Sequence, residues 1–100
     1  MSELTIKLSA EPSQLHLSGV LNFDTAAKAW QQTQTLWLKA NSLTLNLQAV
    51  SHADSAALAY LMAVMRLAKQ KKMSLQIIHM PKALQDLAKV SGIESLLPLK

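Results

Sequence analysis

The sequence predicts an α/β protein, in which three main helices cover a mixed sheet of four strands. Two observations indicate this class. Segments in which leucines alternate with polar residues are interleaved with segments whose apolar residues recur every three or four positions, in the order β-β-α-β-α-β-α. The chain has 100 residues, of which 50% are hydrophobic and 16% charged, a composition that suits one core and is too apolar for disorder. We therefore expect residues 1–100 to form a single domain.

The first two strands are predicted to form a hairpin. Leu4, Ile6 and Leu8 alternate with polar residues, and Leu15 and Leu17 repeat the pattern after the interruption Glu11-Pro12-Ser13. We expect the first strand to pair antiparallel with the second at one side of the sheet.

The first helix is predicted over residues 25–39, with Asp24 as its N-cap and Asn41 as its stop. Trp30 and Trp37 are seven residues apart and should lie along one side of this helix. Aromatic side chains contribute to cores as readily as to interfaces, so core packing and contact with a partner both remain open. The sequence does not decide which tryptophan is exposed.

The rest of the chain alternates strands with helices. A strand from Leu43 to about Val50 is followed by a helix over 56–71, a short strand over 75–78, a helix over 81–91 and one helical turn over 93–97. Gly92 is expected to end the third helix in a left-handed conformation. Strands that are separated by single helices indicate right-handed parallel crossovers, so we expect strands two to four to be parallel, with the helices mostly on one face.

Several kinds of chemistry are disfavoured by residue type and spacing. The chain has no cysteine, its two glycines stand alone, and its three histidines are far apart, so we expect no cofactor and no metal. Ser55, His52 and Asp54 could be combined as a triad, but neighbouring residues at the start of a helix diverge in direction. We therefore expect no catalytic residues and no enzyme activity.

Charge and hydropathy disfavour two kinds of partner. The net charge is +4, but the dense cluster Lys69-Gln70-Lys71-Lys72 ends an apolar helix, where cations offset the helix dipole, so we expect no nucleic-acid partner. The longest strongly apolar stretch, residues 56–65, is well short of the roughly 20 residues that cross a bilayer. The first residues lack the pattern of a secretory signal. We expect a cytoplasmic protein with no direct membrane insertion.

Polar residues concentrate where the third strand passes into the second helix. Asp54 or Ser55 can accept hydrogen bonds from the free N–H groups of the first helical turn, and Ser55 would then present its hydroxyl at the positive end of the helix dipole. A phosphate would be electrostatically favourable there. The alternative is that the two residues only cap the helix.

The second helix has two different sides. The residues assigned to the sheet side are Ala57, Leu58, Leu61, Val64, Met65 and Ala68. The opposite side carries small residues with few charges, which suits close approach by a partner, although alanines are also simply good helix formers. Together with the loop before it, this side forms a candidate partner-binding surface, called the docking surface below. Its residues are Asp54, Ser55, Ala56, Ala59, Tyr60, Ala63 and Arg66.

Two segments resemble a known family. Residues 45–58, which end in Asp54-Ser55-Ala56-Ala57-Leu58, resemble the strand and the Asp-Ser/Thr-small-Gly-Leu loop of STAS domains (sulfate transporter and anti-sigma factor antagonist domains), and residues 84–93 resemble the last helix of that family. The resemblance spans nearly the whole chain and implies a STAS-like fold. Ala57 departs from the pattern, because the family usually has glycine there. We expect the added methyl to stand next to the loop serine and to stiffen the loop.

Within the family, the short chain with a hairpin start and a Trp-containing first helix is most similar to the MlaB-type STAS subunit of the bacterial phospholipid ABC transporter that maintains outer-membrane lipid asymmetry. This similarity implies a non-enzymatic subunit that binds the ATPase subunit of the transporter through the docking surface, with Ser55 at the contact. The subunit would be peripheral at the inner membrane through that partner. The next closest similarity is to anti-sigma factor antagonists, which implies phosphorylation of Ser55 by an anti-sigma factor kinase to switch binding off.

Overall fold

A computed structural model describes residues 3–9, 14–36 and 42–98 of the chain. In this part of the chain, four strands form one sheet in the order β1-β2-β3-β4, and three α-helices and a short 3-10 helix complete the fold. The strands are β1 (Leu4–Ser9), β2 (Gln14–Leu21), β3 (Ser42–Ala53) and β4 (Ser74–Ile78), and the helices are α1 (Ala26–Leu36), α2 (Ser55–Gln70) and α3 (Lys82–Val90), followed by the 3-10 turn Glu94–Leu96.

The predicted strand pairing is confirmed. β1 pairs antiparallel with β2, with Ile6 opposite Leu17, whereas β2 with β3 and β3 with β4 are parallel. The turn predicted at 11–13 lies outside the described residues. At the outer edge of β4, the Ile77 N–H donates to the Pro98 carbonyl at 2.9 Å, so the end of the described chain covers part of that edge.

One face of the sheet carries the core. Because side chains alternate across a strand, the leucines of β2 and β3 that share this face are all buried, and the other face presents mainly polar residues. The helices pack on the leucine-rich face, as predicted, with Ala29 of α1, Leu61 of α2 and Leu84 of α3 buried in the same core. The buried sheet residues are Leu15, Leu17, Leu21, Leu43, Leu45, Leu47, Val50 and Ile77.

Two predicted boundaries need comment. β3 continues to Ala53, beyond the end predicted near Val50, because Val20 and Leu21 of β2 provide pairing partners for His52 and Ala53. In a parallel pair the backbone hydrogen bonds sustain a strand even where its side chains are polar and exposed. The described part of α1 ends at Leu36, so the predicted last turn, including Trp37, lies outside the described residues.

Gly19 allows β1 to lie close to β2 near the carboxyl end of β2. Its φ of +104° is a conformation that L side chains rarely adopt, and a Cβ at this position would overlap the carbonyl oxygen of Glu3. That oxygen accepts a hydrogen bond from the Val20 N–H at 2.8 Å. The register with β3 shifts at the same point, between Gly19 and Val20. The irregularity leads directly into the loop that joins β2 to α1.

Candidate functional site

The candidate site lies where the parallel strands β2 and β3 end and the helices α1 and α2 begin. Parallel strands bring their carboxyl ends to one edge of a sheet, which is the common position of binding sites in α/β folds. The loop after β2 contains Phe23 and Asp24, and β3 is followed by Asp54 and by Ser55, the first residue of α2.

Asp54 is the N-cap of α2, which decides between the two capping residues that the sequence allows. Its Oδ1 accepts a hydrogen bond from the Ala56 N–H at 2.8 Å. Its Oδ2 accepts from the Phe23 N–H at 3.1 Å, and its own N–H donates to the Leu21 carbonyl at 3.4 Å. The Asp54 carboxylate therefore fixes the start of α2 and also holds the β2–α1 loop beside it.

Ser55 is exposed in the first turn of α2, as the sequence predicts. In the described parts of the chain, no group forms a hydrogen bond with its hydroxyl, so the hydroxyl is available to a partner or to a modifying enzyme. The positive end of the helix dipole favours negative charge here. The neighbouring Asp54 carboxylate already occupies the Ala56 N–H, so a phosphate would gain fewer backbone donors than at an uncapped helix end.

The outward side of α2 continues from Ser55 as a narrow strip of small residues that ends at Arg66. Ala59 and Arg66 are exposed, and Ala56 and Ala63 are half-buried. Residues three and four apart on a helix lie above one another, so these side chains form a continuous surface along the helix. Because alanine leaves the backbone accessible to close approach, this surface suits contact with a second helix or loop.

Tyr60 was assigned from the sequence to the docking surface, which requires it to be exposed, and this assignment is wrong because Tyr60 is buried. Only 3% of its surface is exposed, and its hydroxyl shares a hydrogen bond of 2.7 Å with the hydroxyl of the fully buried Thr33 in α1. On a helix Tyr60 lies next to Ala57 and Val64, and α1 covers that flank of α2. Burial raises the pKa of Tyr60 to about 12, and the hydrogen bond with Thr33 opposes this shift.

A shallow groove between α1 and α2 extends the strip sideways. The cavity has a volume of about 250 Å³. Half-buried Trp30 lines it together with Ala63 and Arg66 of the docking surface. The sequence indicated that a tryptophan of the first helix could reach a partner, but it did not place Trp30 beside this part of α2. Contact between α1 and α2 brings Trp30 close to Ala63 and Arg66.

Phe23 also belongs to this region, although the sequence did not predict a role for it. Its side chain is 85% exposed in the loop next to Asp54. The signal was present, since an aromatic residue directly precedes Asp24, the residue predicted to cap the first helix; in the structure α1 begins at Ala26, and the Asp24 N–H donates to the Asn22 side chain instead. The hydrogen bond from the Phe23 N–H to Asp54, which joins residues 31 positions apart, brings Phe23 to the start of α2. The sequence alone does not indicate this contact.

Two further polar residues, Ser51 and His52, lie near the end of β3. The ring Nδ1 of His52 lies 3.2 Å from the Ser51 hydroxyl, and both residues are exposed.

Within residues 3–9, 14–36 and 42–98, no three His, Asp or Glu side chains are grouped as metal ligands would be. No helix in those ranges is both long enough and apolar enough to cross a membrane.

The fold and the site together define a small α/β domain whose distinctive surface is a capped helix start with an exposed serine and a strip of small residues. The family model described as "Mlab, STAS domain" matches residues 4–98 of the chain. The chain belongs to the STAS domain family.

Solved structures agree with this fold. An anti-sigma factor antagonist from Mycobacterium paratuberculosis is similar with a TM-score of 0.79 at 19% sequence identity, over 97% of this chain and 85% of that one. The anti-sigma factor antagonist SpoIIAA in its unphosphorylated form is similar with a TM-score of 0.75 at 12% identity, over 98% of this chain and 88% of that one. No curated protein sequence matches the chain at a significant level.

Proposed function

We propose that this chain is a non-enzymatic subunit that binds and supports the ATPase of a phospholipid-transporting ABC complex. The match of the "Mlab, STAS domain" model to residues 4–98 carries the proposal. In the bacterial cell, the chain would be cytoplasmic and held at the inner membrane by its partner. Its role in lipid transport would be to bind the ATPase, without a catalytic residue of its own.

The geometry of the docking surface supports a protein partner. Ser55 offers a free hydroxyl, Ala59 offers an exposed small side chain, and Asp54 holds the start of α2 in a fixed position. A rigid surface of this kind loses little conformational entropy when it binds. With Tyr60 removed, the proposed contact residues are Asp54, Ser55, Ala56, Ala59, Ala63 and Arg66.

The second candidate function is that of an anti-sigma factor antagonist. The two solved structures compared above are described as anti-sigma factor antagonists, and Ser55 is exposed where a kinase could reach it. Ala57, which replaces the usual family glycine, is fully buried, so its methyl packs in the core and not beside the Ser55 side chain as expected from the sequence. In this alternative, a phosphate on Ser55 would add nearly two negative charges to the interface and release the partner.

The test compares Ser55→Glu with Ser55→Ala in calorimetric binding to the purified ATPase of the phospholipid transporter from the same organism. We expect Ser55→Glu to weaken binding more than Ser55→Ala, because it buries a charge in the interface as well as removing the hydroxyl. Ser95→Glu, at an exposed serine in the 3-10 turn, is the control for added charge.

The outcomes separate the two functions. Unchanged affinity in both Ser55 variants would leave Ser55 with no part in binding. If the ATPase does not bind the unsubstituted chain, but an anti-sigma factor kinase binds it and transfers one phosphate from ATP to Ser55, the second function replaces the first.

A further inference from the structure

Phe23 is the most exposed aromatic side chain in the described residues, at 85%, and it is the only phenylalanine of the chain. A phenylalanine side chain presents roughly 150–250 Å² of largely apolar surface, which is normally buried in a core or an interface. Here it lies in the loop between β2 and α1, beside the residues of the docking surface.

The exposure of Phe23 is enforced by the loop that carries it. The Thr25 hydroxyl donates to the Val20 carbonyl at 2.8 Å, and the Asn22 N–H donates to the Thr25 hydroxyl oxygen at 2.9 Å. The Phe23 N–H donates to Asp54 Oδ2 at 3.1 Å. Because these bonds fix the backbone on both sides of Phe23, the ring cannot reach the core without breaking them. Because the backbone is already fixed, the loop loses little conformational entropy when the Phe23 side chain inserts into a partner.

Asp54 connects Phe23 to Ser55. One oxygen of its carboxylate binds the Phe23 N–H, and the other binds the Ala56 N–H directly after Ser55. The backbone of Phe23 and the first turn of α2 therefore bind a single carboxylate, and a partner that covers Ser55 would come close to the loop that carries the exposed Phe23 side chain.

The charge around Phe23 indicates which surface would accept it. Exposed carboxylates of Glu3 and Asp24 line a cleft of about 350 Å³ beside the loop, where Lys28 supplies the opposing cation. Among the residues that line this cleft, the two carboxylates outnumber the one cation. A partner surface with lysines or arginines around an apolar pocket would complement this combination.

Positive charge is concentrated elsewhere on the molecule. Lys69, Lys71 and Lys72 are exposed at the opposite end of α2. Lys82, at the start of α3, is paired with Asp86 at 3.4 Å. The described chain is thus more acidic at the Phe23 end than at the far end of α2, although its net charge over the full sequence is +4.

We propose that Phe23 is the apolar anchor of the interface, and that it inserts into an apolar pocket of the ATPase subunit whose rim carries lysine or arginine on the side that faces Glu3 and Asp24, away from Ser55. This inference rests on the proposed function and adds a contact outside α2, together with the chemistry of the surface that receives it. Asp54 acts as a positioning residue that holds the loop of Phe23 beside the start of α2.

The experiment measures calorimetric affinity for the purified ATPase with three variants. Phe23→Ala is expected to weaken binding by about tenfold or more, as for a central aromatic anchor. Phe23→Leu, which keeps apolar bulk, should lose much less. Val90→Ala is the matched control, since Val90 is 86% exposed at the end of α3 and should bind like the unsubstituted chain. All three should keep the melting temperature, because these side chains are exposed.

The charge component is tested separately with Asp24→Asn. Raised salt should weaken binding of the unsubstituted chain, and the loss should be smaller in the variant, because one carboxylate that faces the basic rim is gone. Binding by Phe23→Ala at the affinity of Val90→Ala would overturn the inference and leave the proposed function intact. A chain that fails to bind the ATPase even without substitution would overturn the proposed function, and the inference with it.

Discussion

Tyr60 and Thr33 bring two hydroxyl groups into the contact between α1 and α2. Thr33 is fully buried and Tyr60 nearly so, and their oxygens are 2.7 Å apart. A buried hydroxyl without a partner costs free energy, so each of these residues depends on the other. The pair thereby fixes how α1 lies against the flank of α2, next to the groove that Trp30 and Ala63 line.

Removing one hydroxyl should cost more than removing both. Tyr60→Phe is expected to lower the free energy of unfolding by about 1–3 kcal/mol, because the Thr33 hydroxyl is left buried without its partner. Adding Thr33→Val removes that group too and should recover part of the loss. Urea denaturation of the two single variants and the double variant measures the coupling. Strictly additive losses would mean that the two hydroxyls do not interact energetically.

Stability should also fall at alkaline pH because of Tyr60. Burial raises its pKa to about 12, above the value of 10.0 that is usual for tyrosine, so between these values the folded state retains a proton that the unfolded chain loses. The stabilisation is complete below pH 10 and is lost as the pH rises towards 12, by roughly 2–3 kcal/mol in total.

The measurement compares urea denaturation of the unsubstituted chain and Tyr60→Phe across this pH range. Lysines also titrate in this range. The contribution of Tyr60 is therefore the difference between the two proteins in the slope of the free energy of unfolding against pH. The chain has one tyrosine, so tyrosinate absorbance reports its pKa directly. Equal slopes, or a tyrosinate transition near pH 10 in the folded protein, would contradict the prediction.

At the scale of elements, α2 and α3 end in the same way. After α3, the Ile93 N–H donates to the Ala88 carbonyl at 3.0 Å and the Gly92 N–H to the Lys89 carbonyl at 3.1 Å. After α2, Met73 and Lys72 form the equivalent bonds to Ala68 and Lys69 at 2.9 and 3.2 Å. Both ends form the Schellman motif, whose left-handed position is Gly92 in α3, as predicted, and Lys72 in α2.

The residue at the left-handed position should therefore tune the stability of each helix end. Lys72 has φ +56°, which an L side chain adopts at a cost, so Lys72→Gly is expected to stabilise the protein by about 1 kcal/mol. Gly92→Ala should destabilise it by about the same amount, since a Cβ there meets nothing nearby and only the backbone cost remains.

Thermal denaturation of both variants tests this pair, with Lys71→Gly as the control. Lys71 precedes Lys72 and has φ −89°, so glycine gives it no conformational advantage. Stabilisation by Lys71→Gly equal to that by Lys72→Gly would attribute the effect to lost charge and not to the left-handed conformation.

The elements of the fold could be predicted because the spacing of apolar residues along a strand or a helix shows which of its side chains are buried. The alternating leucines of β2 and β3 face the core, and the period of α2 places Leu58 and Leu61 there as well. The extension of β3 to Ala53 could not be predicted, since it depends on pairing with residues of β2 and not on its own side chains.

The candidate site could be predicted only in part. Asp54 and Ser55 follow from local capping chemistry, which adjacent residues determine. The burial of Tyr60 and the position of Phe23 depend on contacts between residues 27 and 31 positions apart, with Thr33 and Asp54 respectively. A helical projection of α2 alone cannot show that α1 covers one of its flanks.

At the scale of the whole molecule, α2 divides the core from the docking surface. Ala57 and Ala59 are two residues apart and nearly opposite on the helix, and the first is fully buried whereas the second is exposed. Ala63 is half-buried and lines the groove with Trp30, so a large residue there would disturb the contact with α1 as well as a partner. Ala59 is therefore the position at which folding and binding are best separated.

Ala59→Arg should leave folding nearly unchanged and abolish binding to the ATPase. Exposed helix positions usually change the free energy of unfolding by about 0.5 kcal/mol or less, whereas a bulky charged side chain prevents close approach to the strip. Ala57→Arg, the matched control, should instead prevent folding, because it forces a charge into the core. Circular dichroism and calorimetric titration measure the two properties. If Ala59→Arg folds and still binds, the partner contacts the Phe23 loop or the Trp30 groove without covering the outward side of α2.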